Sequence, residues 1–172
     1  MTLLETKRLT LRCINGEDAK FYLRLVNEPG WLTYIGDKKI YTLQQSRESI
    51  IAGPLAMQAR LGFSLYICEL ADTAIPIGLC GLIKRDSLPD VDIGFAFLAE
   101  FCGNGYATEA AKAVVDYAFT TIGLTRLLAI TTPDNRRSIQ LLERLGLSFV
   151  EEVVLADSVK LVNLFECQRM PR

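Results

Sequence analysis

From Cys102 to Ala107 the chain reads Cys-Gly-Asn-Gly-Tyr-Ala, and these are the residues whose types and spacing could hold a charged ligand. Apolar residues at strand spacing run up to this stretch through Leu98, and helix formers follow it from Thr108. A strand that turns through two glycines into a helix leaves the first helical amides without an internal partner. The helix dipole adds partial positive charge at the same place. Glycine accepts positive φ and lets a ligand come close, because no Cβ stands in the way. The chemistry open to such a corner is anion binding, above all phosphate or pyrophosphate. Two glycines by themselves fit a purely structural turn equally well. Two common phosphate patterns do not fit: GxxxxGK[ST] is absent, and so is GxGxxG with a downstream acidic residue in a βαβ unit. Composition closes off other chemistry. There is no histidine, which excludes Cys/His and Ser/His nucleophile pairs. The five cysteines (Cys13, Cys68, Cys80, Cys102, Cys167) are scattered and form no CxxC pair. They read as small buried hydrophobes in a reducing compartment, and no metal site is expected.

The elements that must position this corner follow from periodicity. Arg8–Ile14 alternates polar and apolar residues, the pattern of a half-buried strand. Asn15 is placed to cap a helix whose first turn carries Glu17 and Asp18 and whose apolar positions include Phe21, Tyr22, Leu25 and Val26. Pro29-Gly30 is expected to stop it. A loop holding Trp31 then leads to a second helical stretch from Thr42, which Pro54 should kink or divide. Strands are predicted at Phe63–Glu69 and Ile75–Ile83, joined by a polar turn around Asp72. Another follows at Asp90–Leu98 after the turn at Ser87-Leu88-Pro89. Their short connections imply an antiparallel meander. The helix after the glycine corner carries an apolar stripe through Ala111, Val114, Val115, Ala118 and Phe119 and ends at Gly123. Arg126–Thr131 reads as a short central strand, Asn135–Leu145 as the last helix with Gly146 as its cap, and two strands near 148–155 and 159–168 finish the chain. No repeat, low-complexity stretch or linker divides the 172 residues. Residues 1–172 are therefore expected to form a single domain of the α/β (α+β) class, a mixed sheet with helices on both faces.

The formal net charge of −1 removes the main reason to expect a nucleic-acid partner, since a basic surplus supplies most of that affinity. The stretch from Met1 to Arg8 lacks the order of a secretory signal, and no apolar run approaches the roughly 18 residues a membrane span needs. A soluble cytoplasmic protein without a membrane partner is the expectation.

The stretch Gly103-Asn104-Gly105-Tyr106-Ala107-Thr108-Glu109-Ala110 fits the Q/R-x-x-G-x-A/G signature of the GNAT N-acetyltransferase superfamily. It resembles the GxGYATEA form of the Rim-type branch, the ribosomal-protein alanine N-acetyltransferases. Asn135 to Leu147 resembles that branch's NxxSxxLLEKxGF helix. Glu5-Thr6-Lys7-Arg8-Leu9-Thr10-Leu11-Arg12 is similar to its ETERLxLR start, and Asp92-Ile93-Gly94-Phe95 to its EIGY strand. Four motifs in register carry a likeness that no single one would. The resemblance implies a mostly antiparallel sheet of about seven strands, splayed between the fourth and fifth, with acetyl-CoA lying in the split as co-substrate. Main-chain amides of Gly103, Asn104, Gly105, Tyr106, Ala107 and Thr108 would hold the pyrophosphate. Phe97 and Leu98 would pair their main chain with the pantetheine arm, and Asn135 would contact the coenzyme near the thioester. Two departures stand out: Cys102 occupies the position of the usual Gln or Arg, and Leu142 the position where many members carry a tyrosine acid.

Acetyl transfer needs a neutral amine to attack the thioester and a proton to reach the departing thiolate. Asp92 is the first candidate for the base, at the family's acidic position; a hairpin charge pair is its plainer role. Asp157, between the last two strands, is the second. Glu109 is explained by its place in the first helical turn. Ser138 is the candidate proton donor, and a main-chain N–H at Phe97 or Leu98 the candidate oxyanion donor. The Rim-type likeness favours a protein α-amine as acceptor. A small amine such as a polyamine, amino acid or antibiotic stays open, as do a non-catalytic acyl-CoA-binding sensor module and a homodimer.

Overall fold

Thr2–Glu5 (β1) and Leu9–Cys13 (β2) form an antiparallel hairpin at the start of the computed structural model, which describes residues 2–156 and 158–169. β1 makes the sheet eight-stranded where about seven strands were expected. Four residues are too few to show a period of two, and this segment becomes a strand by pairing Thr2 with Arg12 and Glu5 with Thr10. Arg12 also grips Asp18 through two hydrogen bonds of 2.7 and 2.9 Å, tying β2 to the turn before α1 (Ala19–Val26). Asn15 and Asp18 close that turn as a reciprocal cap.

The segment around Trp31 differs from the expected loop. Pro29 stands at the first position of a short helix, α2 (Pro29–Tyr34), where its missing N–H is no loss and its fixed φ suits the turn. Thr42 and Gln45 cap α3 (Leu43–Ile50) reciprocally. Pro54 then widens the chain into one π turn, Ile51–Leu55, before α4 (Ala56–Leu61).

The meander follows as β3 (Leu65–Leu70), β4 (Pro76–Ile83) and β5 (Asp92–Phe97), each antiparallel to the one before. After the glycine corner come α5 (Tyr106–Thr120), β6 (Arg126–Thr131), α6 (Arg136–Arg144), β7 (Ser148–Val154) and β8 (Leu161–Gln168). The sheet order is β1-β2-β3-β4-β5-β6-β8-β7, and every neighbouring pair is antiparallel except β5 and β6. Those two meet at one place only, Asp92 beside Leu128, where the Leu128 N–H donates to Val91 O at 2.9 Å. From there toward Phe97 they part, and this is the expected splay.

Alternation along the strands divides the core between two faces. Tyr66 and Cys68 of β3 point into the cluster under α5 and α6, with Ala110, Val114, Ala118, Leu141 and Leu142. Ile67 points into the other, with Tyr22, Leu25, Trp31 and Ile50 from the first helices. Leu127 and Leu128, both fully buried, each contribute about 1.5–3 kcal/mol relative to an exposed side chain. They anchor β6 where β5 leaves it. No described helix is long and apolar enough to cross a membrane.

Candidate active site

The glycine corner is built from main chain. A short 3-10 turn at Ala99–Phe101 leads from β5 to Cys102, and Gly103 and Gly105 take φ of 83° and 80°, the left-handed region glycine favours. Among the described residues, none of the backbone amides from Gly103 to Thr108 has a hydrogen-bond acceptor in the protein; the first amide of α5 to be bonded is that of Glu109, to Gly105 O. A Cβ placed on Gly103 would meet nothing within 4 Å, so open space lies beside the turn. A row of unpaired donors at a helix start, next to open space, is a cradle for an anion.

The start of the chain braces this corner. Glu109 accepts from Thr6 Oγ1 at 2.6 Å, from the Arg8 N–H at 2.8 Å and from Arg8 Nε at 2.7 Å. Burial works to raise the Glu109 pKa, but these hydrogen bonds outweigh it and hold the carboxyl below the usual range. Arg8 also donates Nη1 to Asn104 O at 2.9 Å and lies 4.5 Å over the Tyr106 ring. Glu109 therefore positions the corner and does not face a ligand. The Asn104 side chain turns back to Phe101 O and Cys102 O, leaving only its amide for binding. The Cys102 sulfur lies 3.6 Å from Leu98 O, and partial burial pushes its thiol up. A raised thiol is a poor nucleophile at neutral pH.

Along the split, β5 offers one edge. The Leu98 N–H donates to Ile77 O at 2.9 Å and the Leu98 carbonyl accepts from Phe101, so neither main-chain group is free, and its side chain is buried. Leu98 thus cannot pair with a pantetheine arm or supply an oxyanion donor. Because alternate residues of an antiparallel strand bond to the same neighbour, Ala96 and Gly94 turn to β4 with Leu98, while Phe97 and Phe95 present their main chain to the split. Phe95, not Leu98, has its main chain free on this edge. From Asp92 to Phe97 this edge is about 17 Å long at strand rise.

The apex of the split holds a buried carboxylate. Asp92 is 0% exposed and accepts from Arg85 Nε at 2.9 Å and from Arg85 Nη2 at 3.1 Å, across the β4–β5 hairpin. Burial raises its pKa, and Arg85 opposes the rise without cancelling it. On the facing wall Asn135 caps α6, its Oδ1 accepting from the Ser138 N–H at 3.3 Å. Its amide nitrogen makes no hydrogen bond to a described residue. Ser138 is half-buried one turn on, and Leu142 is buried in the core behind it. Asp157 lies outside the described residues.

One cavity of about 1070 Å³ joins these pieces, running from Gly103, Gly105 and Thr108 past Phe97 to Asp92, with Asn135 and Ser138 opposite. Tyr106 and Ala107 line it as well. Sequence reasoning missed Phe95, Arg85 and Lys38, all in its wall. Arg85 and Asp92 flank one turn with opposite charges, and that signal was available; nothing local marks Lys38.

The acetyltransferase (GNAT) domain family matches residues 8–148. An uncharacterized N-acetyltransferase, p20 of Bacillus licheniformis, is 32% identical over 163 residues, which is 93% of this chain and 89% of that one. The crystal structure of the acetyltransferase from Agrobacterium tumefaciens str. C58 superposes with a TM-score of 0.83 at 27% identity, covering 98% of this chain and 95% of the other. RimL, a ribosomal alpha-N-protein acetyltransferase solved in complex with coenzyme A, has a TM-score of 0.82 over 98% of both chains at 15% identity, a likeness of fold.

Proposed function

The chain belongs to the GNAT acetyltransferase family, and from that premise we propose that its single domain, residues 1–172, moves an acetyl group from acetyl-CoA to the terminal α-amine of a protein. That it is an acetyl-CoA-dependent N-acetyltransferase follows from membership. A protein α-amine as acceptor is supported by the four Rim-type motifs, and the fold shared with RimL is compatible with it.

One observation carries the assignment of the residues: a row of unpartnered amides, Gly103 to Thr108, stands at the open end of a split strand edge whose other end holds a buried carboxylate. The amides suit a doubly charged pyrophosphate, and the free edge at Phe95 and Phe97 suits an extended amide-bearing arm. When bound, acetyl-CoA supplies the thioester carbonyl that the amine attacks. The protein's part is positional and acid–base. Asp92, kept above the ordinary carboxylate range, accepts a proton from the ammonium, directly or through water. Ser138 donates toward the leaving sulfur, and the Asn135 side chain holds the first turn of α6 that presents it. A main-chain N–H on the β5 edge is available for the developing oxyanion.

The test is release of free thiol from acetyl-CoA with peptides beginning Ala or Ser beside a polyamine and an aminoglycoside. Steady release with the peptides is the expected result. Release with small amines only moves the acceptor to that class, and tight acetyl-CoA binding without turnover on any amine leaves a binding module instead.

A further inference from the structure

The acceptor end of the cavity is cationic. Lys38, between α2 and α3, Arg85, on the β4–β5 hairpin, and Lys160, just before β8, all line it, and Asp92 is the one described acid beside them. Asp92 is already held by Arg85. Glu28, further along the wall, accepts from the Ala99 N–H and lies 3.8 Å from Arg24. Lys160 Nζ donates to Thr33 O at 3.3 Å, an uncharged partner. Lys38 makes no ion pair or hydrogen bond with a described residue. A second feature points the same way: Trp31 Nε1 is buried without a hydrogen-bond partner among the described residues, and Trp31 lines this cavity. An indole N–H can only donate, so whatever satisfies Trp31 must be an acceptor.

We infer that the acceptor is an amine carrying a carboxylate near its amino group, with the carboxylate held by Lys38 and Arg85, and that polycationic amines are rejected. The inference rests on reading this cavity as the acetyl-transfer site. A polyamine or aminoglycoside would set further positive charges against Lys38 and Lys160, which have no acidic partner among the described residues, whereas a carboxylate gains charge-assisted hydrogen bonds from them. The cationic wall also serves the chemistry. Partial burial, and then Arg85, hold the Lys38 ammonium below the usual lysine range. The same surroundings would lower the pKa of an acceptor ammonium and favour the neutral, attacking form. Two sources share this chemistry: the α-carboxylate of a free amino acid, and an Asp or Glu side chain next to a protein N-terminus.

Calorimetry on the protein saturated with CoA, which permits no transfer, separates them. The probes are L-serine against serinamide, the C-terminally amidated peptides Ser-Glu-Ala-Ala and Ser-Gln-Ala-Ala, and spermidine. In at least one pair the carboxylate-bearing member should bind about tenfold tighter, or about 1.4 kcal/mol, and the pair that responds names the source. Lys38→Gln should bring that ratio close to one and Lys38→Arg should keep it. Lys38 has no described partner to lose, so both variants should melt like the wild type. A ratio near one in both pairs, no binding of any carboxylate-bearing probe, or tighter binding of spermidine overturns the inference. Thiol release with the same probes keeps the two readings apart. A clear binding ratio without release overturns acetyl transfer and leaves the carboxylate site standing. Release without a ratio overturns only the carboxylate site.

Discussion

The two ends of one cleft are made of different material. At the glycine corner the free polar groups are consecutive main-chain amides, Gly103 to Thr108, and side chains serve to brace them: Arg8 and Glu109 from behind, Asn104 within the turn. At the other end the charged groups lining the cleft are side chains, Asp92 and Arg85 from one hairpin and Lys38 and Lys160 from two segments distant in sequence. The corner tolerates a change of side chain such as Cys102, because an N–H is the same in every residue except proline.

The comparison breaks most sharply at Gly105. A φ of 80° is closed to a β-branched residue, and a Cβ there would stand 3.3 Å from Arg8 Nη2. Gly105→Val should weaken acetyl-CoA binding by at least about 100-fold in calorimetry, or about 2.7 kcal/mol, whereas Cys102→Ala should shift it less than about threefold. Normal affinity in the valine variant would remove the cradle assignment.

The acceptor end is probed by Asp92→Asn. Losing a general base lowers kcat/KM by roughly 10²–10⁴-fold while acetyl-CoA affinity holds. The wild-type rate should fall as pH drops through an apparent pKa above the ordinary aspartate value, since burial raises it, and that acid limb should vanish in the variant. The sign for stability is opposite: a carboxylate with a raised folded pKa contributes most when protonated, and that contribution is lost as pH rises through the folded value. An unchanged pH profile in the variant would assign the base elsewhere.

The smallest of the three effects is at Ser138. Ser138→Ala should lower kcat about tenfold, or about 1.36 kcal/mol of barrier, with acetyl-CoA affinity unchanged. Equal turnover in variant and wild type would leave Ser138 a packing residue.

Much of the fold was legible because its signals are local. Asn15 caps its helical turn as expected, the second helical stretch begins at Thr42, Pro54 interrupts it, and the strands from β2 onward lie where the sequence pattern placed them. Trp31 was misplaced in a loop because a helix of six residues offers no periodicity, only the proline at its first position. β1 was missed because four residues become a strand through the partner they find. In the site, Leu98 was expected to offer its main chain to the split, but Phe95 and Phe97 do, since adjacent residues on a strand look alike in sequence and only the register with β4 tells which one faces the split.

The sequence by itself determined the glycine corner. Two glycines at positive φ ahead of a helix specify its geometry within six residues, and the donors are backbone. Only the tertiary structure decided which charges meet at the other end of the cleft. The charge there is a sum over side chains distant in sequence, the pKa of Asp92 depends on burial by its surroundings and on Arg85 across a hairpin, and Lys38 acquires meaning from the wall opposite it. Backbone geometry is encoded locally, whereas electrostatic environment exists only once the chain has closed around it.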